Sequence, residues 1–188
     1  MKVRARRDPV QWTLREAMQE ESLIQVEPVI DYSVRGLCVK PYPNHPKGCP
    51  NFDKRETCPP DAPTIGQILD LQRPVYLVYN RHDFGAHVEK MRAKHPDWSQ
   101  RQLECCLYWQ GTARKRLKKK IYVARLKIFE VLSRPAVIPP AQGFRLEVLT
   151  VPEACGVNVT ATMQKIGIQL EWPPVEYAYQ VALIGVRR

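Results

Sequence analysis

Acidic residues are scarce in this chain: 19 Asp and Glu stand against 29 Lys and Arg, a formal net charge of +10. Such an excess favours polyanionic partners, nucleic acid or anionic cofactors among them. No apolar run approaches the roughly 20 residues needed to cross a bilayer. The opening stretch MKVRARRDPVQW is basic but has no apolar h-region, so it does not read as a secretory signal. The expectation is a cytoplasmic protein without membrane contact. There thiols stay reduced, and clustered cysteines hold metal or do redox chemistry rather than form disulfides. Also missing are a G-x-G-x-x-G fingerprint, a P-loop, a G-x-S-x-G elbow and an H-E-x-x-H pair. Asp83-Phe84-Gly85 follows a strand-like run as in kinases, but no H-R-D loop or glycine-rich loop precedes it. No internal repeat or low-complexity tract is found.

What is present reads as one globular domain over residues 1–188, since 188 residues with 44% hydrophobic content can bury a core unaided. WTLREAMQ, with Leu14, Ala17 and Met18 at helical spacing, begins as a helix, and SLIQVEPVIDYSVRGLCV reads as strand segments broken by Pro28 and Gly36. TIGQILDL fits a short helix capped by Thr64, RPVYLVYN a strand, and DFGAHVEKMRAKH a helix ended by Pro96. Residues 99–132 read as a basic helix with Ser99 as N-cap. Unbroken, it would be about 50 Å long, against a radius of gyration of about 16 Å for a domain of this size. A break is expected, most cheaply at Gly111. RPAVIPPAQG is a linker, FRLEVLTV a strand, PEACGVNVTATMQKIG a helix from Pro152 to Gly167, and YAYQVALIGV a last strand. The fold class expected is α/β or α+β, a small mixed sheet with helices and a long Pro/Cys-rich loop.

That loop, Gly36 to Pro63, carries three of the six cysteines and seven of the seventeen prolines. Cys38, Cys49 and Cys58 are separated by ten and eight residues, unlike the tight C-x2-4-C knuckle of zinc fingers or the compact ferredoxin run. Each proline fixes φ near −65° and extends its predecessor, which lowers the entropy lost when distant thiolates are gathered. The plainer alternative is three ordinary small cysteines. Yet the loop is too polar to be core, and exposed free thiols invite oxidation unless ligated. Metal or cluster binding is therefore the favoured reading.

A tetrahedral metal or a cubane cluster wants four ligands. The apolar series Trp109, Ala113, Leu117, Ile121, Ala124, Ile128 and Val131 continues back to Cys106, which would face the protein body if the helix stayed regular. Cys106 is the first choice as fourth ligand. Cys105, Cys155 and His45 stay open, as does a set left at three; a plain core role for Cys106 competes with ligation.

The pattern Cys38, Cys49-Pro50, Cys58-Pro59-Pro60 resembles that of a family of predicted metal-binding proteins of unknown function. The segment Pro152-Glu153-Ala154-Cys155-Gly156-Val157-Asn158-Val159 is similar to that family's P-S-M-E-A-x-G-I-D-V stretch. The resemblance covers about a third of the chain. It implies iron–sulfur, with [4Fe-4S] the cluster expected, over zinc. The family's further cysteines before the second motif have no counterpart in SRPAVIPPAQGFRLEVLTV, so a second cluster is not expected.

Arg114 to Lys120 place six basic residues in seven positions. The run is either a solvated helix face or a phosphate-contacting ridge, for which Arg114, Lys115, Lys118 and Lys119 are the candidates. Lys2, Arg4, Arg6 and Arg7 add a basic arm. Tyr108 and Trp109 could stack on a base, although core suits Trp109 better. Two functions from different classes follow. One is a cluster protein doing redox or sulfur chemistry on an anionic or nucleotide-like substrate, tRNA or other RNA included. The other is a zinc-stabilised nucleic-acid-binding module without catalysis.

Overall fold

The computed structural model describes residues 23–42, 45–133 and 143–188. The helix expected over WTLREAMQ, the basic arm and the linker up to Gln142 lie outside the described residues. Strand β1 (Leu23–Val26) leads into a 3-10 helix, Tyr32–Val39. After the cysteine loop come α1 (Ile65–Ile68), β2 (Val75–Asp83), α2 (Phe84–Lys94) and α3 (Gln100–Leu103). A 3-10 turn, Cys106–Tyr108, precedes α4 (Gln110–Leu132). Strand β3 (Leu146–Leu149), a third 3-10 turn (Pro152–Cys155), α5 (Val159–Lys165) and β4 (Tyr177–Val186) complete the order.

The four strands form one sheet in the order β1-β2-β4-β3. The helix-and-sheet class expected from sequence holds, with one correction: every described pairing is antiparallel, so the sheet is not mixed. Alternation along β2 sends Val78 to one face and Val75 and Leu77 to the other. β4 is apolar on both faces from Ala182 to Val186 because both are covered. Across the first face lies α4, through Leu117, Ile121, Ala124, Ile128 and Leu132, a stripe at helical spacing. Beneath the second lie Ile65 and Leu69, with Cys155, Val157, Val159 and Met163.

Caps follow the sequence closely. The Gln67 side chain accepts from the Thr64 N–H at 2.7 Å, and Gln102 accepts from Ser99 N–H at 2.9 Å. Asp83 of the kinase-like triplet accepts from the Ala86 N–H at 2.9 Å, which makes it the N-cap of α2.

Two helices end where sequence did not place the end. The 99–132 helix breaks over Glu104–Trp109, not at Gly111, which sits in the first turn of α4. Leu103 and Trp109 are both buried, yet a continuous helix would leave residues six apart about 120° from each other around its axis. Breaking the helix turns both inward, and Trp109 Nε1 then donates to the Glu104 carbonyl at 3.3 Å. The helix expected from Pro152 to Gly167 is likewise divided at Gly156, whose φ of 86° is left-handed, and Asn158 caps the new start by accepting from Ala161 N–H.

A candidate metal centre around four cysteines

The chain leading to Cys38 is not a strand but a 3-10 helix, started by Asp31, whose carboxylate accepts from the Ser33 N–H at 3.0 Å. Side chains three apart eclipse on such a helix, so Arg35 and Cys38 share an edge. Arg35 donates from Nη2 to the Pro60 carbonyl at 2.8 Å and to the Ala62 carbonyl at 2.7 Å. It thereby ties the far end of the loop to the element carrying Cys38.

The loop doubles back on itself. Cys49 N–H donates to the Cys38 carbonyl at 2.7 Å, and Asp53 N–H, at a φ of 55°, donates to the Pro59 carbonyl at 2.9 Å. Gly48 makes the first of these contacts possible. A Cβ there would lie 2.5 Å from the Cys38 oxygen, and its φ is 81°. Cys38, Cys49 and Cys58 are each half-buried. Burial pushes the Cys38 thiol up, and the neighbouring Cys49, Cys58 and Glu153 add to that rise while Arg35 opposes it. The three loop cysteines are thus within electrostatic reach of one another.

Cys106 arrives by a different route from the one the helical pattern suggested. The break before α4 leaves it exposed rather than facing the core. Tyr42 registers its position. Burial raises the Tyr42 phenol, and Cys49, Cys106 and Cys38 raise it further. Tyr42 also stacks on His45, with ring centroids 4.5 Å apart. Cys105, half-buried, begins the same turn. Cys155 is buried in the lower core among Leu149, Val157 and Met163, and desolvation raises its thiol. Among the described residues no three His, Cys, Asp or Glu side chains converge tightly enough to hold a single metal ion.

The segment similar to the family's second motif packs on the first. Asp31 N–H donates to the Gly156 carbonyl at 2.8 Å, Asn158 N–H donates to the Val29 carbonyl at 2.8 Å, and Ile30 bridges Val157. A Cβ on Gly156 would lie 2.3 Å from the Tyr32 ring, so only glycine permits this approach. Glu153, within reach of both Cys38 and Cys155, has its carboxyl raised by desolvation.

Arg35, Tyr42 and Glu153 were not singled out by sequence reasoning. Arg35 could have been found from its three-residue spacing to Cys38, had the element been recognised as 3-10. Glu153 lies two residues from Cys155, but its nearness to Cys38 is purely tertiary.

Arg114, Lys115, Lys118 and Lys119 are all exposed on α4, whereas Lys120 is buried. The helix holds eight basic residues and one acidic residue, Glu130. Trp109 is core, against Phe84 and Ala113, while Tyr108 is 53% exposed. No helix among the described residues is long and apolar enough to cross a membrane. Compared with protein-family models, with curated proteins and with solved structures, the chain matches none.

Proposed function

We propose that this is a cytoplasmic iron–sulfur protein whose Cys38, Cys49, Cys58 and Cys106 hold one [4Fe-4S] cluster. The observation that carries the reading is the folding back of the cysteine loop: Cys49 N–H donates to the Cys38 carbonyl, and Arg35, on the 3-10 helix of Cys38, holds the Pro60 and Ala62 carbonyls just past Cys58. The spacing of ten and eight residues between the loop cysteines, unlike the tight knuckle of zinc fingers, and the resemblance of the two motifs favour a cluster over zinc. When bound, the cluster supplies one-electron transfer or an iron site for sulfur. The chain supplies the rest. Prolines and Arg35 fix the loop, burial shields Cys38, and the net positive charge draws an anionic or nucleotide-like substrate, RNA such as tRNA included.

Anaerobic purification followed by the absorption spectrum and iron, sulfide and zinc assays tests this. About four iron and four sulfide per chain, with a broad visible absorption band, is the expected result for a [4Fe-4S] centre. A colourless protein with one zinc would overturn it.

The composition of α4 favours a second reading. Like charges at i and i+4 destabilise an isolated helix, so a run of Arg114, Lys115, Lys118 and Lys119 on an exposed face gains from a polyanion. In that reading the cysteines hold zinc, the loop is structural, and the protein binds nucleic acid without chemistry. One zinc together with salt-sensitive RNA binding selects it.

A further inference from the structure

Away from the cysteines, a second polar group lies on the α4 face of the sheet. Asn80 and Gln180 are directly opposed on β2 and β4, and His82 lies two residues on from Asn80 along the same face. His87 reaches in from α2, with its ring 5.8 Å from that of His82, and the indole of Trp109 stacks on His82 at 5.1 Å. Asn80 is 2% exposed. Among the described residues Asn80 Nδ2, His82 Nε2, His87 Nε2 and Gln180 Oε1 are buried without a hydrogen-bond partner. One such atom could be an accident of packing. Four on adjoining residues, where the other buried side-chain polar atoms of the described residues are paired, call for a partner from outside the chain.

The surrounding charge decides what kind. Among the described residues, Arg116 of α4 acts on His82, Lys90 of α2 acts on His87, and Asp83 is the one acidic group that acts on either ring. A divalent cation would meet two fixed positive charges there, whereas an anion is attracted by both. Three of the four atoms can donate: the Asn80 amide and both imidazoles. The fourth joins them once the Gln180 amide is turned over, since its oxygen and nitrogen are assigned from the network.

We propose that Asn80, His82, His87 and Gln180 form a binding site for a small oxyanion of the phosphate or sulfate type. Trp109 and Gln180 also line a cleft of about 300 Å³ with Gln110, Glu171, Trp172 and Tyr177. That cleft adjoins the group through Trp109 and Gln180. Both rings are held below the ordinary histidine range, mainly by desolvation, with His87 and Arg116 adding for His82 and Lys90 for His87. They are therefore neutral at pH 7 in the free protein. An anion placed between them reverses that preference, so binding takes up a proton.

The site stands independently of the cluster and is tested on the full chain with sulfate, whose charge does not change between pH 5.5 and 7.5. Calorimetry is expected to show one sulfate per chain, binding about tenfold tighter per unit fall in pH while one proton is taken up. In the unaltered protein the ring nitrogens of His82 and His87 should titrate at higher pH when sulfate is added, a readout that needs no variant. His82→Gln and His87→Gln should each weaken binding at pH 6 at least tenfold and flatten its pH dependence; His95→Gln should change neither. A nucleoside monophosphate that binds more tightly than inorganic phosphate identifies a phosphomonoester as the natural ligand, and equal affinity identifies the free ion. The proposal is overturned if sulfate fails to move the two histidine titrations, if its binding is indifferent to both substitutions, or if zinc rather than sulfate engages both Nε2 atoms.

Discussion

The backbone N–H of Cys49 donates to the carbonyl oxygen of Cys38 across 2.7 Å, which brings together two thiols separated by ten residues of chain. Gly48 is what allows the approach, because any Cβ there would stand 2.5 Å from the accepting oxygen and would need a φ of 81°. Gly48→Ala should therefore open this bond. The left-handed backbone alone costs a non-glycine residue about 1 kcal/mol or more, and the contact is with backbone that cannot swing aside. The expected outcome is a chain that unfolds at lower urea and retains less than half of its iron through a desalting column. Unchanged iron content would detach the Cys38–Cys49 contact from metal binding.

The six cysteines should divide into two groups when each is changed to serine. Loss of Cys38, Cys49, Cys58 or Cys106 is expected to reduce iron and sulfide sharply with little effect on the unfolding of the metal-free protein, since all four are at least partly exposed. Cys155→Ser should do the reverse. It places a hydroxyl among Leu149, Val157 and Met163, at about 1–3 kcal/mol, and leaves the iron in place. Cys105→Ser should affect neither. Iron content and urea unfolding, measured side by side, separate ligand from core. Iron retained in Cys106→Ser would return the fourth position to open candidates.

Much of this fold was legible because its periodicities are strong. β2 and β4 carry apolar runs rich in Val and Tyr, and the buried stripe of α4 repeats every three or four residues from Ala113 onward. The failures have local causes. YSVRGLCV reads as a strand through its valines, yet Asp31 caps it and Tyr32 docks on Gly156, contacts that no window of nearby sequence contains. The break at Glu104–Trp109 follows from two buried anchors, Leu103 and Trp109, whose burial is settled by other elements. It also reversed the setting of Cys106, from an inward helical position to an exposed turn. His82 and His87 were visible as residues but not as a pair. Only the sharp passage from β2 into α2 at Asp83 brings their rings within 5.8 Å.

Glu153 gives the candidate centre a pH dependence with a definite sign. Desolvation raises its carboxyl, so the folded chain favours the protonated form more than the unfolded chain does. The stabilisation this provides is complete below the ordinary glutamate value of about 4.3. It is lost as pH rises through the higher folded value, above which the charged carboxylate opposes folding. In metal-free protein, Glu153→Gln should therefore be more stable than the parent above that value and indistinguishable from it at pH 4, as read by urea unfolding. With the centre loaded, and at a pH above the raised Glu153 value, removing its negative charge within reach of Cys38 should raise the reduction potential. A potential unmoved by the substitution would place Glu153 outside the field of the centre.

Neutralising the exposed face of α4 separates the ridge from mere solubility. Changing Arg114, Lys115, Lys118 and Lys119 together to glutamine leaves the buried stripe at Ala113, Leu117 and Ile121 untouched, so the fold should survive, and circular dichroism checks that. If the four cations contact phosphates, each contributes about 0.7 to the slope of log affinity against log salt for single strands. The variant's slope should then be shallower by nearly 3, with affinity for a short RNA reduced at every salt concentration. The proposed cluster, whose candidate ligands lie before and at the break in the helix, should keep its iron. A slope unchanged in the variant means that these four side chains are a solvated surface and that any nucleic acid is bound elsewhere. Iron lost together with RNA binding would instead mean that α4 and the cysteine loop stand or fall as one unit.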